Sequence, residues 1–211
     1  MKAYKFLPVL VVIAFIAFSF QGCQTLQNIS KTLTDLNKLQ FKLDRVDNFR
    51  LAGIGLSSKS KLSDFSIPDG LRLTQAFATK NLLADFVLNV AVKNPNDGTN
   101  GKNQTIATLT RLDWRLIIDD VQTISGVINN SVDIPGSGQT TYIPVGISID
   151  LFQFFGNKGY DKIINLALAL GGVSSSPSRI KLDIMPTVST PLGPIQYPNR
   201  IVVVDKEFKA N

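Results

Sequence analysis

Apolar and polar side chains alternate through most of the chain between Phe86 and Asp150. A side-chain period of two is what a β-strand with one buried face produces. Turn residues interrupt the alternation at Asn94-Pro95-Asn96, at 119–120 and at 135–138, which divides it into four runs. The positions assigned to their apolar faces are Phe86, Leu88, Val90 and Val92; Ile106, Thr108, Thr110, Leu112, Trp114, Leu116 and Ile118; Ile124, Gly126, Ile128, Val132 and Ile134; and Thr141, Ile143, Val145, Ile147 and Ile149. Four strands joined in sequence predict an antiparallel meander within one sheet.

The charged residues of the second run, 106–118, all lie on one face of the predicted strand. Arg111, Asp113 and Arg115 lie opposite Trp114, which predicts a solvated outer face and a tryptophan in the core. The adjacent aspartates at 119–120 would point to opposite faces of a strand, so they cannot form a catalytic pair there. We therefore interpret them as solvated turn residues.

The segment before the meander predicts shorter elements. Residues 43–56 fit the first strand or two, irregular around two glycines. Leu62–Ile67 fits a further strand, ended by the turn residues Pro68-Asp69-Gly70. Residues 71–80 fit either a strand or a short helix.

One helix is predicted after the meander, from Asp161 to Leu170, with Gly171-Gly172 at its end. Its apolar residues cover nearly the whole circumference. Such a helix either packs inside the core or covers an apolar cavity, and core packing is the preferred interpretation. Later alternation predicts strands at 180–184 and 201–204.

The run that ends in Asn94-Pro95-Asn96 resembles the type 2 late-embryogenesis-abundant (LEA type 2) family, also called the water-stress and hypersensitive-response (WHy) domain. Further positions that match the family pattern are Asp119-Asp120, Gly126, Gly136-Ser137-Gly138 and Pro144. The resemblance extends over residues 43–208. Together with the alternation it implies an all-β fold, an immunoglobulin/fibronectin III-like antiparallel β-sandwich of about seven strands with one α-helix. An unrelated β-sandwich with a proline turn is the alternative.

We predict a structural role for Asn94, Pro95 and Asn96, which would turn the chain after its strand. Proline has no N–H for a sheet ladder and biases the residue before it toward extended geometry. Asparagine side chains commonly hydrogen-bond nearby backbone in turns.

The N-terminus predicts export and lipidation. A short basic segment, 1–5, precedes an apolar run, 6–20, that is shorter than the roughly 20 residues of a membrane span. Gly22-Cys23 follows and resembles the lipobox of bacterial lipoproteins, although Phe20-Gln21 departs from the common pattern. The resemblance implies that a signal peptide, 1–22, is removed and that Cys23 carries the lipid. An uncleaved signal anchor and cleavage without lipid are the alternatives.

Residues 23–42 are predicted to be a polar, partly helical tether, and residues 43–211 the LEA type 2-like domain. A narrow apolar stripe in the tether consists of Leu26, Ile29, Leu33 and Leu36. Gln24 is not the Asp that retains enteric lipoproteins at the inner membrane. We therefore expect an outer-membrane lipoprotein of the bacterial cell envelope, with its domain in the periplasm or at the surface.

Composition removes several classes of chemistry. The 211-residue chain has no His and one Cys, so Ser-His-Asp and Cys-His catalysis, an internal disulfide and a cysteine zinc cluster are excluded for the chain alone. Its net charge of +6 is scattered without a Lys/Arg run, which argues against nucleic-acid binding. We predict no catalytic residue, no metal and no cofactor.

Two function hypotheses follow. The preferred one is a non-enzymatic lipoprotein, attached to membrane lipid through acylated Cys23, whose domain binds a protein or lipid ligand or has a structural role. The family resemblance associates such domains with desiccation and other stress. The alternative is a lipid-binding or lipid-shuttling envelope protein, in which the predicted helix and the strand ending at Asn94 line an apolar groove.

Overall fold

The computed structural model describes residues 39–99, 104–172, 179–190 and 193–205. The predicted signal peptide, Cys23, Gln24 and most of the predicted tether lie outside the described residues. The first described strand begins at Gln40, before the predicted domain boundary at 42/43, and Leu39 is already fully buried.

The described residues form an all-β sandwich of two antiparallel sheets, which confirms the predicted fold class. The strands are β1 (Gln40–Leu51), β2 (Ile54–Gly55), β3 (Leu83–Lys93), β4 (Ala107–Ile118), β5 (Val121–Ile128), β6 (Val132–Ile134), β7 (Thr140–Asp150), β8 (Ile180–Thr190), β9 (Gly193–Gln196) and β10 (Ile201–Val203). The helices are α1 (Ile67–Ala78), α2 (Leu151–Phe155) and α3 (Tyr160–Gly171), with 3₁₀ turns at Leu62–Asp64 and Gly156–Lys158. No helix among these residues is long and apolar enough to span a bilayer.

The meander predicted for one sheet is distributed over both sheets. The first sheet has the order β2-β1-β3-β7, and the second has the order β10-β8-β4-β5, with β6 beside β4 and β9 beside β8. The prediction of a single sheet is therefore wrong. The alternation of apolar and polar residues shows which face of a strand is buried. It is the same whether the next strand in the sequence joins the same sheet or the opposite sheet, so it does not predict which sheet each strand belongs to.

The second run changes its buried face partway along β4. Leu109 and Leu112 are both buried, and a bulge between Leu109 and Arg111 shifts the pairing with β8. Ile106, assigned to the apolar face, is 68% exposed. The assignment is wrong before the bulge, because an extra residue exchanges the two faces of a strand. It holds after the bulge, where Trp114 is buried as predicted.

The segment predicted to be a strand at Leu62–Ile67 is a 3₁₀ turn leading to helix α1, so that prediction and the prediction of one α-helix are wrong. Ser66 caps α1: its hydroxyl accepts a hydrogen bond from the Asp69 N–H at 3.3 Å. The Asp69 carboxylate accepts one from the Ser66 N–H at 3.1 Å. Together with Pro68 in the first turn, this capping box starts a helix at residues interpreted as a turn.

The predicted helix after the meander is present as α3, and it is part of the core. Seven of its residues are buried, from Ile163 to Gly171. A Cβ at Gly171 would lie 2.1 Å from Phe49 on β1, so the helix end rests directly on that ring. Phe49 in turn stacks on Phe86 with 5.0 Å between ring centroids. These contacts support the core interpretation of the apolar helix.

Candidate functional site

Asn94, Pro95 and Asn96 lie at the end of the sandwich where β3 stops. Asn94 is fully buried, and its Nδ2 donates to the carbonyl of Thr105 at 2.8 Å and of Ile134 at 3.1 Å. Its Oδ1 accepts from the backbone N–H of Asn96 at 3.1 Å and from the Asn96 amide at 3.1 Å. Every donor and lone pair of the Asn94 amide is thereby used.

The Asn94 hydrogen bonds connect the two sheets. Asn94 follows β3 of the first sheet, whereas Thr105 precedes β4 and Ile134 ends β6 in the second. Gly136 closes the arrangement, since a Cβ there would lie 2.2 Å from the Asn96 carbonyl oxygen and 2.3 Å from that of Thr105. The geometry fixes the crossing between sheets and leaves no space for a ligand at the Asn94 amide. A structural role for the motif stays a prediction.

Helix α3 lies toward the start of β3, and the apolar groove predicted between this helix and the strand that ends at Asn94 stays a prediction. Helix α3 contacts Phe49, which stacks on Phe86 near the start of β3. Asn94 lies eight residues further along the strand, at the opposite end, which is about 26 Å away at 3.3 Å per residue. The end of α3 borders a different hollow of about 510 Å³, whose lining includes Asp47, Asn48 and Ser57 and is largely polar.

A second open hollow, of about 380 Å³, lies on the solvated outer face of the second sheet. We call it the arginine groove. It is lined by Arg111, Asp113, Trp114, Arg115, Ser125, Gly126, Val127, Met185, Gln196 and Arg200. Three of these residues, at 111, 113 and 115, belong to the face that the sequence predicted to be wet. Trp114 is also on β4, and the remaining lining residues come from three further strands and from the loop before β10.

Strand register brings the groove residues together. Asp113 pairs with Met185 on β8 and with Val127 on β5, which places apolar side chains on both sides of it. One row further, Arg115 pairs with Asp183 and Ser125. The groove therefore combines a partly apolar row with a charged row on one surface.

The charges in the groove are unequally paired. Arg111 forms a two-bond pair with Asp113, at 2.9 Å from Nε and 2.7 Å from Nη2. Arg200 binds Asp183 from Nε at 2.7 Å and the Asp183 carbonyl from Nη2 at 2.6 Å. These hydrogen bonds engage the carboxylates of Asp113 and Asp183.

Arg115 has the weakest pairing of the three guanidinium groups. Its Nη1 lies 3.8 Å from the Asp183 carboxylate, beyond hydrogen-bond distance, and its side chain is 46% exposed. That carboxylate oxygen already accepts from Arg200. Within this cluster three guanidinium groups thus share two carboxylates, which leaves the cluster with one positive charge in excess.

The Arg111–Asp113 ion pair shifts the pKa of both of its side chains. The hydrogen bond from Arg111 is the main cause that lowers the pKa of the Asp113 carboxyl below its ordinary value, and Gln196 donates to it at 3.3 Å. The same pair raises the pKa of Arg111. Both shifts favour the charged forms of Arg111 and Asp113, so neither side chain of this pair is poised for proton transfer at neutral pH.

Other acidic residues of the described ranges are also committed to structure. Asp119 and Asp120 form the predicted turn, with φ of 50° and 62°, as a two-residue hairpin requires. Asp119 binds Arg179 through two bonds of 2.6 Å, and Asp120 binds Lys181 at 2.5 Å. Within the described residues, no group of three or more metal-binding side chains is assembled.

Comparisons with known proteins give only distant likenesses. No protein-family model matches the chain, and no curated protein matches it in sequence. The solution structure of a late embryogenesis abundant (LEA) protein is 17% identical, covers 97% of this chain and 92% of its own, and has a TM-score of 0.34. A crystal structure of a protein from Archaeoglobus fulgidus is 10% identical, covers 81% of this chain and 98% of its own, and also has a TM-score of 0.34. At these scores neither likeness carries an argument about function.

Proposed function

We propose that this chain is a non-enzymatic lipoprotein of the bacterial cell envelope, whose β-sandwich is a binding or structural module of the LEA type 2 kind. The observation that carries the proposal is Gly22-Cys23, which follows the short apolar run 6–20 after one intervening residue. A Cys at such a boundary is the attachment point of lipid in bacterial lipoproteins. Two or three acyl chains, at about 0.8 kcal/mol per buried CH₂, would hold the chain stably on a bilayer.

The distance between Cys23 and the sandwich suits this arrangement. The residues from 24 to 39 separate the proposed lipid from β1. An extended chain of that length reaches up to about 50 Å, and a helical one about half as far. The sandwich would therefore stand clear of the lipid headgroups while remaining attached to them.

A binding or structural role agrees with the chemistry that the chain has available. It contains no His, and the aspartates of the arginine groove and of the 119–120 turn are engaged in ion pairs. The alternative of lipid transport by an apolar groove has less support, because seven residues of α3 are buried in the core and the described hollow at its end is largely polar. Native mass spectrometry of the purified protein would detect a carried lipid, which we do not expect.

The decisive experiment is fatty-acid labelling in a bacterial host of the wild-type chain beside Cys23→Ser. We expect label in the wild type, none in the variant, and a wild-type mass that corresponds to a lipidated chain starting at Cys23. Unlabelled wild-type protein that remains in the membrane fraction with residues 1–22 intact would show a signal anchor. Unlabelled soluble protein lacking those residues would show ordinary export. Either result would overturn the proposed anchoring.

The proposed association with stress has a separate test. A strain lacking the chain should survive drying less well than its parent, and the full-length gene should restore survival. The Cys23→Ser gene should restore it only in part, if the membrane address matters to the role. Equal survival of the deletion strain and its parent under drying and osmotic stress would contradict a stress function.

A further inference from the structure

We propose that the arginine groove binds a small amphiphilic oxyanion: a carboxylate or phosphate group carried on a short apolar body. The inference deepens the proposed function, since it takes the sandwich to be a binding module, but it does not depend on lipidation of Cys23.

The anionic half of the ligand follows from the charge of the groove. Arg111 and Arg200 each have a carboxylate partner at hydrogen-bond distance, whereas Arg115 lies 3.8 Å from one that Arg200 already uses. A guanidinium group presents a planar fork of donors that matches carboxylate and phosphate oxygens. Arg115 is therefore the group that would bind the oxyanion, and the exposed hydroxyl of Ser125, its strand partner, can donate a further hydrogen bond.

The apolar half of the ligand follows from the neighbouring row. Val127 is 43% exposed, and it shares the groove with Met185. Burying Val127 under an apolar chain would remove exposed hydrocarbon from water at no cost in broken hydrogen bonds. Asp113 lies between Val127 and Met185, but its charge is neutralised by Arg111 through two hydrogen bonds. An oxyanion at Arg115 with its tail along Val127 thus meets complementary chemistry at both ends.

The volume of the groove limits the size of this ligand. About 380 Å³ of open space accommodates a small molecule, at the lower end of the range for ligand sites in proteins. A folded protein domain would contact the rim only. A bilayer surface is broad and could not enter a concave site of this size to reach Arg115, so the geometry favours a single small molecule.

Trp114 provides the measurement, because it lines the groove and is the only tryptophan of the chain. The full chain, purified in a non-ionic detergent, is titrated with four probes while tryptophan fluorescence is followed. Hexanoate and hexyl phosphate combine an oxyanion with an apolar tail, inorganic phosphate has the anion alone, and hexanamide has the tail alone. We expect saturable changes with hexanoate, with hexyl phosphate or with both, and whichever binds identifies the carboxylate or the phosphate as the preferred group.

Hexanamide should give no saturable change, and inorganic phosphate should bind at least about tenfold more weakly than hexyl phosphate, as loss of several buried CH₂ groups implies. Equal binding of hexanamide and hexanoate would overturn the anionic half of the proposal. Equal binding of inorganic phosphate and hexyl phosphate would overturn the apolar half. No saturable change with any probe would overturn the whole inference, and would leave the labelling result for Cys23 untouched.

Substitutions locate the site. Arg115→Gln should weaken binding about tenfold or more, as expected for a charge-assisted hydrogen bond. Arg72→Gln, the same change at an exposed arginine on α1, should leave it unaltered. If both variants bind as the wild type does, the anion is held elsewhere and the assignment is wrong.

A variant that is predicted to bind the probes more tightly provides a further test, because misfolding would weaken binding and not strengthen it. Asp183→Asn removes the carboxylate that competes for Arg115, while the Asp183 backbone carbonyl that holds Arg200 is retained. This variant should bind the anionic probes more tightly than the wild type. Unchanged or weaker binding would contradict the competition between Asp183 and the ligand for Arg115.

Discussion

The indole of Trp114 covers Gly126, its antiparallel partner on the neighbouring strand. A Cβ built on Gly126 would lie 2.4 Å from Cζ2 and 2.7 Å from Cε2 of the indole. The sequence marked Gly126 through its family resemblance and Trp114 as a core residue, but gave no reason to connect them. The structure provides the reason: the ring lies where any other residue would place its side chain.

Gly126→Ala should therefore lower the free energy of unfolding by about 1–3 kcal/mol, because the buried ring must move to admit the methyl group. The matched control is Gly146→Ala on β7, where no atom lies within 4 Å of the new Cβ. That change should be neutral or stabilising by up to about 1 kcal/mol, since alanine is less flexible in the unfolded chain. Urea unfolding followed by circular dichroism measures both. Equal costs for the two variants would show that contact with Trp114 is not the cause.

Local sequence patterns predicted buried faces well where the strands are regular. The alternating residues of β3 and β7 are buried as predicted, for example Leu88 and Val145. The patterns did not predict which sheet each strand joins, because that depends on pairing between distant segments such as β1 and β3. Nor did they predict the bulge near Leu109, where one inserted residue reverses the faces.

The start of helix α1 was present in the sequence and was misread. Ser66, Pro68 and Asp69 have the spacing of a capping box with proline in the first turn, but Pro68-Asp69-Gly70 is also typical of a turn.

The residues of the arginine groove could be predicted from the sequence only in part. Arg115 was placed on a wet face, whereas its neighbour Asp183 is 68 residues away in the chain, and no local pattern brings the two together.

Asn94→Asp should be strongly destabilising. The change removes both donors to the Thr105 and Ile134 carbonyls and places a carboxylate, fully buried, against two carbonyl oxygens. We expect a loss of about 3 kcal/mol or more in urea unfolding. Asn81→Asp, at an exposed position, should change stability by less than about 0.5 kcal/mol.

Measuring both stability and binding in variants of Asn94 and Pro95 distinguishes a structural role of this motif from a binding role. Pro95→Ala affects an exposed ring and should cost no more than about 1 kcal/mol. Retained stability together with loss of a binding activity, in either Asn94→Asp or Pro95→Ala, would show that the motif serves binding and that its structural assignment is wrong.

Tyr197→Phe should leave stability unchanged or raise it by up to about 1 kcal/mol. The hydroxyl is buried beside the Leu39 backbone and makes no hydrogen bond of ordinary geometry within the described residues, and its burial raises the pKa of the phenol. Removing an unsatisfied buried polar atom relieves a desolvation cost. Tyr197→Leu is the control for the ring itself and should be destabilising by about 1–3 kcal/mol. A clear loss in Tyr197→Phe would show that the hydroxyl has a hydrogen-bond partner, either the Leu39 backbone or a group outside the described ranges.

Acid should weaken the start of α1 through Asp69. Hydrogen bonds from the Ser66 N–H, then from its hydroxyl, and the nearby Lys59 lower the pKa of the Asp69 carboxyl below 3.8. Because the folded-state pKa is the lower one, this stabilisation is fully present above the unfolded-state pKa and is lost as pH falls through the folded-state value. Asp69→Asn should thus be less stable than the wild type at pH 7, and the difference should shrink steadily below about pH 4.

Ser66→Ala is the comparison for that pH dependence, since it removes the hydroxyl that accepts from the Asp69 N–H, a bond that does not titrate, together with the smaller effect of the hydroxyl on the Asp69 carboxyl. Its deficit should shrink only in part at low pH, whereas the deficit of Asp69→Asn should fade. Urea unfolding of the three proteins from pH 7 down to about pH 2.5 makes the comparison. A deficit in Asp69→Asn that stays constant over this range would mean that the amide loses its contacts for steric reasons, and that the charge of Asp69 contributes nothing to the cap.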